Sequence, residues 1–358
     1  MELCIEGQLF DQLRNIASSL TNASSNIDPS VALRFSEYFL QHEQYEKAVS
    51  MLIIARQYTE ALHIISNYGI PLTKQLAEKL SPPKSDGDQT QRKAVLMHLA
   101  KCLIEQQQYQ LACKKYTQCG EKLKAIQCLI KAGDTTKVIY YASKTKNKDT
   151  YILAANYLQS VDWHSNAEYT KYILQFYNSA KAYEQMAFFY DGMAQIEIDD
   201  YRDYDKALRA LKQAYKQIKK SESVNKDEKL SMFEQRMNLV NKFSSARKLA
   251  ESNPTQMISI CEELLKQQDA SNSDFEAAVR RGDVYALMVE YYFSVNDMSN
   301  AYNVIQRMVH SHIELGPYLD RTLIESVYEA LGVDINQLQM ASEQDVDEEV
   351  IDEEIDID

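Results

Sequence analysis

The chain has 358 residues, 45% of them hydrophobic and 25% charged, with only 9 Gly and 6 Pro and a formal net charge of −13. So few turn-formers over this length predict long helices with short connections, and the apolar content is ample for a core. The last sixteen residues, EQDVDEEVIDEEIDID, hold ten acids and no Lys or Arg. The body is therefore near neutral, at about −3, which excludes a nucleic-acid or anionic-membrane footprint.

Residues 1–10 lack the basic start and apolar stretch of a signal peptide, and no apolar run is long enough to span a bilayer. The expectation is a soluble, intracellular chain with no direct membrane insertion. Apolar residues then recur at helical spacing around 31–41, 45–56, 91–106, 166–190, 276–293 and 299–313. The polar stretch LSPPKSDGDQTQRK (80–93) interrupts this pattern and predicts an exposed loop. KVIYYA (137–142) has strand-forming residues, yet it follows Gly133-Asp134, a helix-stop and helix-start signal, and reads as helix.

Tyr204, Ala207, Leu208, Leu211, Ala214, Tyr215 and Ile218 form one apolar stripe, with Lys206, Arg209, Lys212 and Lys216 on the other side. KSESVNKDEK (220–229) is a second break, leading into a long helix to about 250. No convincing period-2 stretch occurs, so the fold class is all-α.

A repeat underlies these helices. QYEKAVSML at 44, QYQLACKKY at 108, DYDKALRAL at 203 and DMSNAYNVI at 297 align on Ala48, Ala112, Ala207 and Ala301. Three residues before each alanine stand Tyr45, Tyr109, Tyr204 and Met298; nine before stand Phe39, Leu103, Ile198 and Tyr292. Thirteen before are Phe35, Leu99, Ala194 and Met288, and four after are Leu52, Tyr116, Leu211 and Ile305. This is the two-helix pattern of a tetratricopeptide repeat, with a small residue where the helices approach closely. Weaker copies start at 57 and 133. The predicted organisation is an irregular helical-hairpin solenoid over 1–340, followed by an acidic, disordered tail over 341–358.

Residues that could carry chemistry give little. The cysteines at 4, 102, 113, 119, 128 and 261 include no Cys-x-x-Cys pair, and they read as buried small hydrophobes. A zinc site using Cys102–Cys128 is the minor alternative. His98 with Cys102, and His310 with His312, lack further ligands at supporting spacing. The acids at 197–205 fail the positional requirements of a calcium loop. They suit a helix start: Asp203 caps the helix beginning at Tyr204, and Asp205 stands four before Arg209 as an ion pair. No catalytic, metal or cofactor residues are assigned. Trp163, the only tryptophan, is a candidate partner contact, as are Val350 and Ile351 in the tail, where acids alternate with aliphatics.

Several longer stretches narrow the field. ACKKYTQCGEKLKAIQCLIKAGDT (112–135), YILAANYLQSVDW (151–163), FYDGMAQIEIDDYRDYDKALRALKQAY (189–215), RRGDVYALMVEYY (280–292) and DEEVIDEEID (347–356) resemble, in order, the C-terminal helical half of the intraflagellar transport protein 140 family. The resemblance implies a non-enzymatic scaffold of intraflagellar transport complex A. It implies work in retrograde, dynein-driven trains and in ciliary entry of membrane proteins. Expected partners are other complex A subunits, and the expected location is the cilium and basal body with a cytoplasmic pool. Family members place two β-propellers ahead of the helical region. None is seen in this sequence, so the chain is expected to be a C-terminal portion or a shortened form. A helical-repeat subunit of a related vesicle coat is the alternative.

Overall fold

The computed structural model describes residues 28–83, 89–267 and 276–333. All regular structure among them is helical, and the helices form successive antiparallel hairpins. The chain separates into two compact units, 1–181 and 182–358.

The first unit contains α1 (Pro29–Gln41), α2 (Tyr45–Ile54), α3 (Tyr58–Tyr68), α4 (Lys74–Lys79), α5 (Gln89–Glu105), α6 (Tyr109–Gln118), α7 (Lys122–Lys131), α8 (Thr135–Thr145), α9 (Lys148–Ser160) and α10 (Ala167–Ala180). The second contains α11 (Tyr183–Asp199), α12 (Tyr204–Lys220), α13 (Lys226–Leu249), α14 (Pro254–Gln267), α15 (Arg281–Ser294), α16 (Met298–His310) and α17 (Arg321–Leu331). Within each unit, sequence neighbours other than the short α4 pack on one another, and α3 packs on α5 across α4.

One turn geometry is used over and over. Glu43, Arg56, Gln107, Arg202 and Asn296 are left-handed, each two positions before the next helix, and Gly120 and Gly133 occupy the same place before α7 and α8. The residue after each is the N-cap, with φ near −90° in all cases. Its amide closes the turn onto the previous helix: Gln44 to Phe39, Gln57 to Leu52, Gln108 to Leu103 and Asp297 to Tyr292, each at 2.8 Å. This is a Schellman closure, which satisfies carbonyls that the ending helix leaves open. A non-glycine residue held left-handed costs about 1–2 kcal/mol, so five of these turns are maintained by the packing on either side.

The aligned alanines Ala48, Ala112, Ala207 and Ala301 are fully buried, each on the fourth residue of its helix. Phe35, Leu99, Ala194 and Met288 on the partner helices are buried too, as are Leu52, Tyr116, Leu211 and Ile305. Phe39, Leu103 and Tyr292 lie nine before their alanines and accept the turn's closing bond. In the third hairpin the connection is one residue longer, and Asp203 closes onto Glu197 instead.

Two expectations need adjusting. The described ends of the stretch 80–93 are not open loop: Leu80 and Pro82 are buried, and α5 already begins at Gln89. Arg92 Nε donates to the Pro82 carbonyl at 3.0 Å and Lys115 Nζ to Ser81 Oγ at 2.7 Å, which holds Ser81 and Pro82 in place. The apolar stripe at 166–190 belongs to two helices, because Lys181 turns left-handed with no glycine or proline to signal it. The 220–229 break does lead into a long helix: α13 runs Lys226–Leu249 after a short connection from α12, and the two helices pack together. The acidic tail lies outside the described residues.

Candidate functional site

The opening of α12 is the most elaborated locus in the second unit. Asp203 caps the helix, its carboxylate accepting from the Lys206 amide at 2.9 Å. That hydrogen bond holds the Asp203 carboxyl below the usual carboxylate range. Asp205 does not reach Arg209. It accepts from Ser244 Oγ at 2.6 Å and Lys248 Nζ at 2.7 Å, both on α13. A tertiary partner has taken the carboxylate that sequence spacing assigned to its own helix. The bond from Lys248, and then that from Ser244, lowers the Asp205 pKa.

Tyr204 is buried, and its ring meets Phe243 edge-on at 4.6 Å. Its hydroxyl donates to Asp283 Oδ2 at 2.6 Å and accepts from the Arg280 amide at 3.4 Å. Asp283 sits in the first turn of α15 with Arg202 Nε 3.4 Å from its other oxygen. Arg280 is held in turn by Asp199, with Nε at 3.0 Å and a terminal nitrogen at 2.9 Å. Arg202 also donates to the Pro317 carbonyl and stacks over the Tyr318 ring at 5.0 Å. Gly282 makes room for that ring, since a Cβ there would land inside it.

Burial raises the pKa of both members of the central pair. The Tyr204 hydroxyl is pushed far up by desolvation and by the neighbouring carboxylate. Asp283 is raised as well, because burial outweighs the Tyr204 bond and the nearby guanidiniums. A phenol that keeps its proton beside a carboxylate ringed by arginines is a fixed donor–acceptor pair. The arrangement staples α12 to α15. An open cavity of about 470 Å³ beside it is lined by Tyr201, Arg202, Asp203, Asp205, Arg247 and Lys248, among others.

The other expected residues are dispersed. Tyr45 is half-buried and stacks on Tyr68 with centroids 3.7 Å apart, and Tyr109 is half-buried at the start of α6. Trp163 is half-buried just beyond α9, its ring 3.6 Å from that of His164. Val350 and Ile351 lie outside the described residues. Cys102 and Cys128 are buried, and desolvation pushes each thiol up to about 11. Among the described residues no three His, Cys, Asp or Glu side chains come together as metal ligands. His98 packs against His63 at 5.0 Å, and His310 Nδ1 lies 2.6 Å from the Gln306 carbonyl of its own helix. No described helix is long and apolar enough to cross a membrane.

The sequence reading missed the Tyr204–Asp283 pair and the role of Gln106. That glutamine accepts from the Leu72 amide and donates to the Ile70 carbonyl, both at 2.7 Å, and so clamps the connection between α3 and α4. Its only signal is a polar residue at the end of an apolar helix, which many solvated positions share.

Comparison with family models gives two matches in series. Residues 1–176 match the tetratricopeptide domain common to intraflagellar transport proteins 140 and 172. Residues 184–309 match the C-terminal tetratricopeptide domain of intraflagellar transport protein 140. The gap between the matches contains the boundary between the two compact units.

Proposed function

Since the chain belongs to the intraflagellar transport protein 140 family and is built of tetratricopeptide-type helical hairpins, we propose that it acts as a non-enzymatic scaffold of intraflagellar transport complex A. Helical-repeat families of this type are typically scaffolds, because stacked hairpins leave long faces free to grip extended partners. The observation that carries the reading is the succession of two domain matches to this family, one on each compact unit. The helical region binds other complex A subunits, and through them serves dynein-driven retrograde trains and the ciliary entry of membrane cargo. It resides in the cilium and at the basal body, with a cytoplasmic pool. Ala48, Ala112, Ala207 and Ala301, with Tyr45, Tyr109 and Tyr204, set the close packing of the hairpins. Trp163 is the first partner contact to test.

The test is affinity purification of the tagged chain from ciliated cells, with bound proteins identified by mass spectrometry. Complex A subunits are expected, and their recovery should fall with Trp163→Ala if that residue is a contact. A chain that is helical by circular dichroism yet recovers no complex A subunit would overturn the proposal.

A further inference from the structure

Helix α12 is strongly one-sided in charge. From Lys206 to Lys220, every exposed side chain except Gln213 is a cation: Lys206, Arg209, Lys212, Lys216, Lys219 and Lys220. No acid lies on the helix after Asp205. Lys206 is committed to Asp203 at 3.1 Å and Glu197 at 3.7 Å, and Lys219 and Lys220 lie over the rings of Tyr215 and Tyr183. Arg209, Lys212 and Lys216 follow at steps of three and four, so they share one face. None of these three has an ion-pair partner within 4.0 Å among the described residues. Like charges at this spacing repel, and an uncompensated stripe in a nearly neutral body calls for a counter-charge.

The same chain carries that counter-charge. Residues 343–358 hold ten acids and no cation, interleaved with Val346, Val350, Ile351, Ile355 and Ile357. Reach is sufficient. Arg202, two positions before α12, bonds to the Pro317 carbonyl, so the connection entering α17 lies at the N-terminal end of α12. From there α17 carries the chain about 17 Å, and Lys216 lies about 18 Å along α12. The chain then continues from Val333 to Asp358, a segment able to extend about 80 Å.

We propose that the acidic C-terminal segment, residues 343–358, docks on the Arg209–Lys212–Lys216 face of α12 in the same chain. The half-buried Tyr215 offers aromatic surface on that helix, which suits the interleaved aliphatics. Tethering supplies an effective concentration of order 1 mM, so an intrinsic dissociation constant of about 100 µM already gives tenfold occupancy. The clasp is a property of the isolated chain, so its failure and that of complex A assembly are read separately.

Two measurements on purified protein test it. Zero-length carbodiimide coupling of the full chain should join carboxylates of 343–358 to Lys212 or Lys216 within one chain, and 0.5 M NaCl should suppress the coupling. A labelled peptide of residues 343–358 should bind a chain truncated after Ser342 at least tenfold more tightly than the full chain, whose own tail competes. The triple variant Arg209→Glu/Lys212→Glu/Lys216→Glu should lose that binding; Arg209→Gln/Lys212→Gln/Lys216→Gln serves if the first does not fold. Couplings that join two chains would assign the surface to a second copy and overturn the proposal. Couplings confined to other lysines, or equal peptide binding by the full and truncated chains, would overturn it too, the latter leaving the stripe open to another acidic partner.

Discussion

Tyr204→Phe is the sharpest perturbation of the staple between α12 and α15. It deletes one hydroxyl and leaves the ring, so the edge contact with Phe243 at 4.6 Å survives and no large cavity opens. What is lost is a 2.6 Å bond from a buried phenol to a buried carboxylate. A hydrogen bond to a charged group contributes a net 1.5–3 kcal/mol or so. Asp283 retains Arg202 at 3.4 Å, which keeps the expected loss near the middle of that range. About 2 kcal/mol corresponds to a roughly 30-fold larger opening constant. Hydrogen exchange read by mass spectrometry on peptides from α12 and α15 measures it directly. Trp163 lies in the first unit, so its fluorescence in a denaturant titration follows that unit separately. A double-mutant cycle with Asp283→Ala should show a coupling above about 1 kcal/mol. Unchanged protection of α12 and α15, or a Tyr204→Phe loss as large in the Asp283→Ala background as in the wild type, would refute the staple.

Other changes separate the remaining contributions. Gly133→Ala places a Cβ in open space at φ +68°, so any loss is purely conformational; a melting shift equivalent to about 1 kcal/mol is expected, and no shift would remove the turn argument. Gly282→Ala should displace the Tyr318 ring and its stacked Arg202, destabilising the second unit by about 1–3 kcal/mol through overpacking, as measured by chemical denaturation. Ala112→Leu in the first unit should destabilise by a similar 1–3 kcal/mol or so, and a neutral result would count against the hairpin alignment. The depressed Asp205 pKa means that its bonds to Lys248 and Ser244 contribute stability above the unfolded-state value, near 3.9, and lose it as pH falls through the lower folded value. Asp205→Asn should therefore flatten the acid limb of the stability–pH curve, with the difference from wild type largest near neutrality.

What was legible in the sequence followed from local physics. The Asp203 cap depends only on an amide three residues along, and the buried alanines repeat with the helix period, so a single chain displays both. Asp205 marks the limit of such reading. Its four-residue spacing to Arg209 is a sound local rule, yet Ser244 and Lys248 lie beside it in space at sequence separations of 39 and 43. The Tyr204–Asp283 pair spans 79 residues, and nothing local in either stretch names the other. The left-handed residues were hidden for a different reason. Glycine would have advertised them, but Glu43, Arg56 and Gln107 adopt that conformation under the pull of the flanking packing, and Lys181 adopts it with no local signal at all.

The staple and the apolar repeat constrain the sequence in different ways. The apolar positions of a hairpin accept several residues, since volume-conserving exchanges among aliphatics typically cost less than about 1.5 kcal/mol. Such positions specify helical hairpins in general. Residues 189–215 and 280–292, two of the stretches that carry the family resemblance, contain Tyr204 and Asp283, and also Arg202, Gly282 and Asp199. Tyr204 and Asp283 are both buried and face each other with fixed geometry, and removing either one leaves the other as a buried hydroxyl or carboxylate with a lost bond, at a cost of about 1–3 kcal/mol. The polar pairs tolerate far fewer substitutions than the core they bridge. The repeat therefore specifies helical hairpins in general, whereas the Tyr204–Asp283 bond fixes α12 against α15 in this chain.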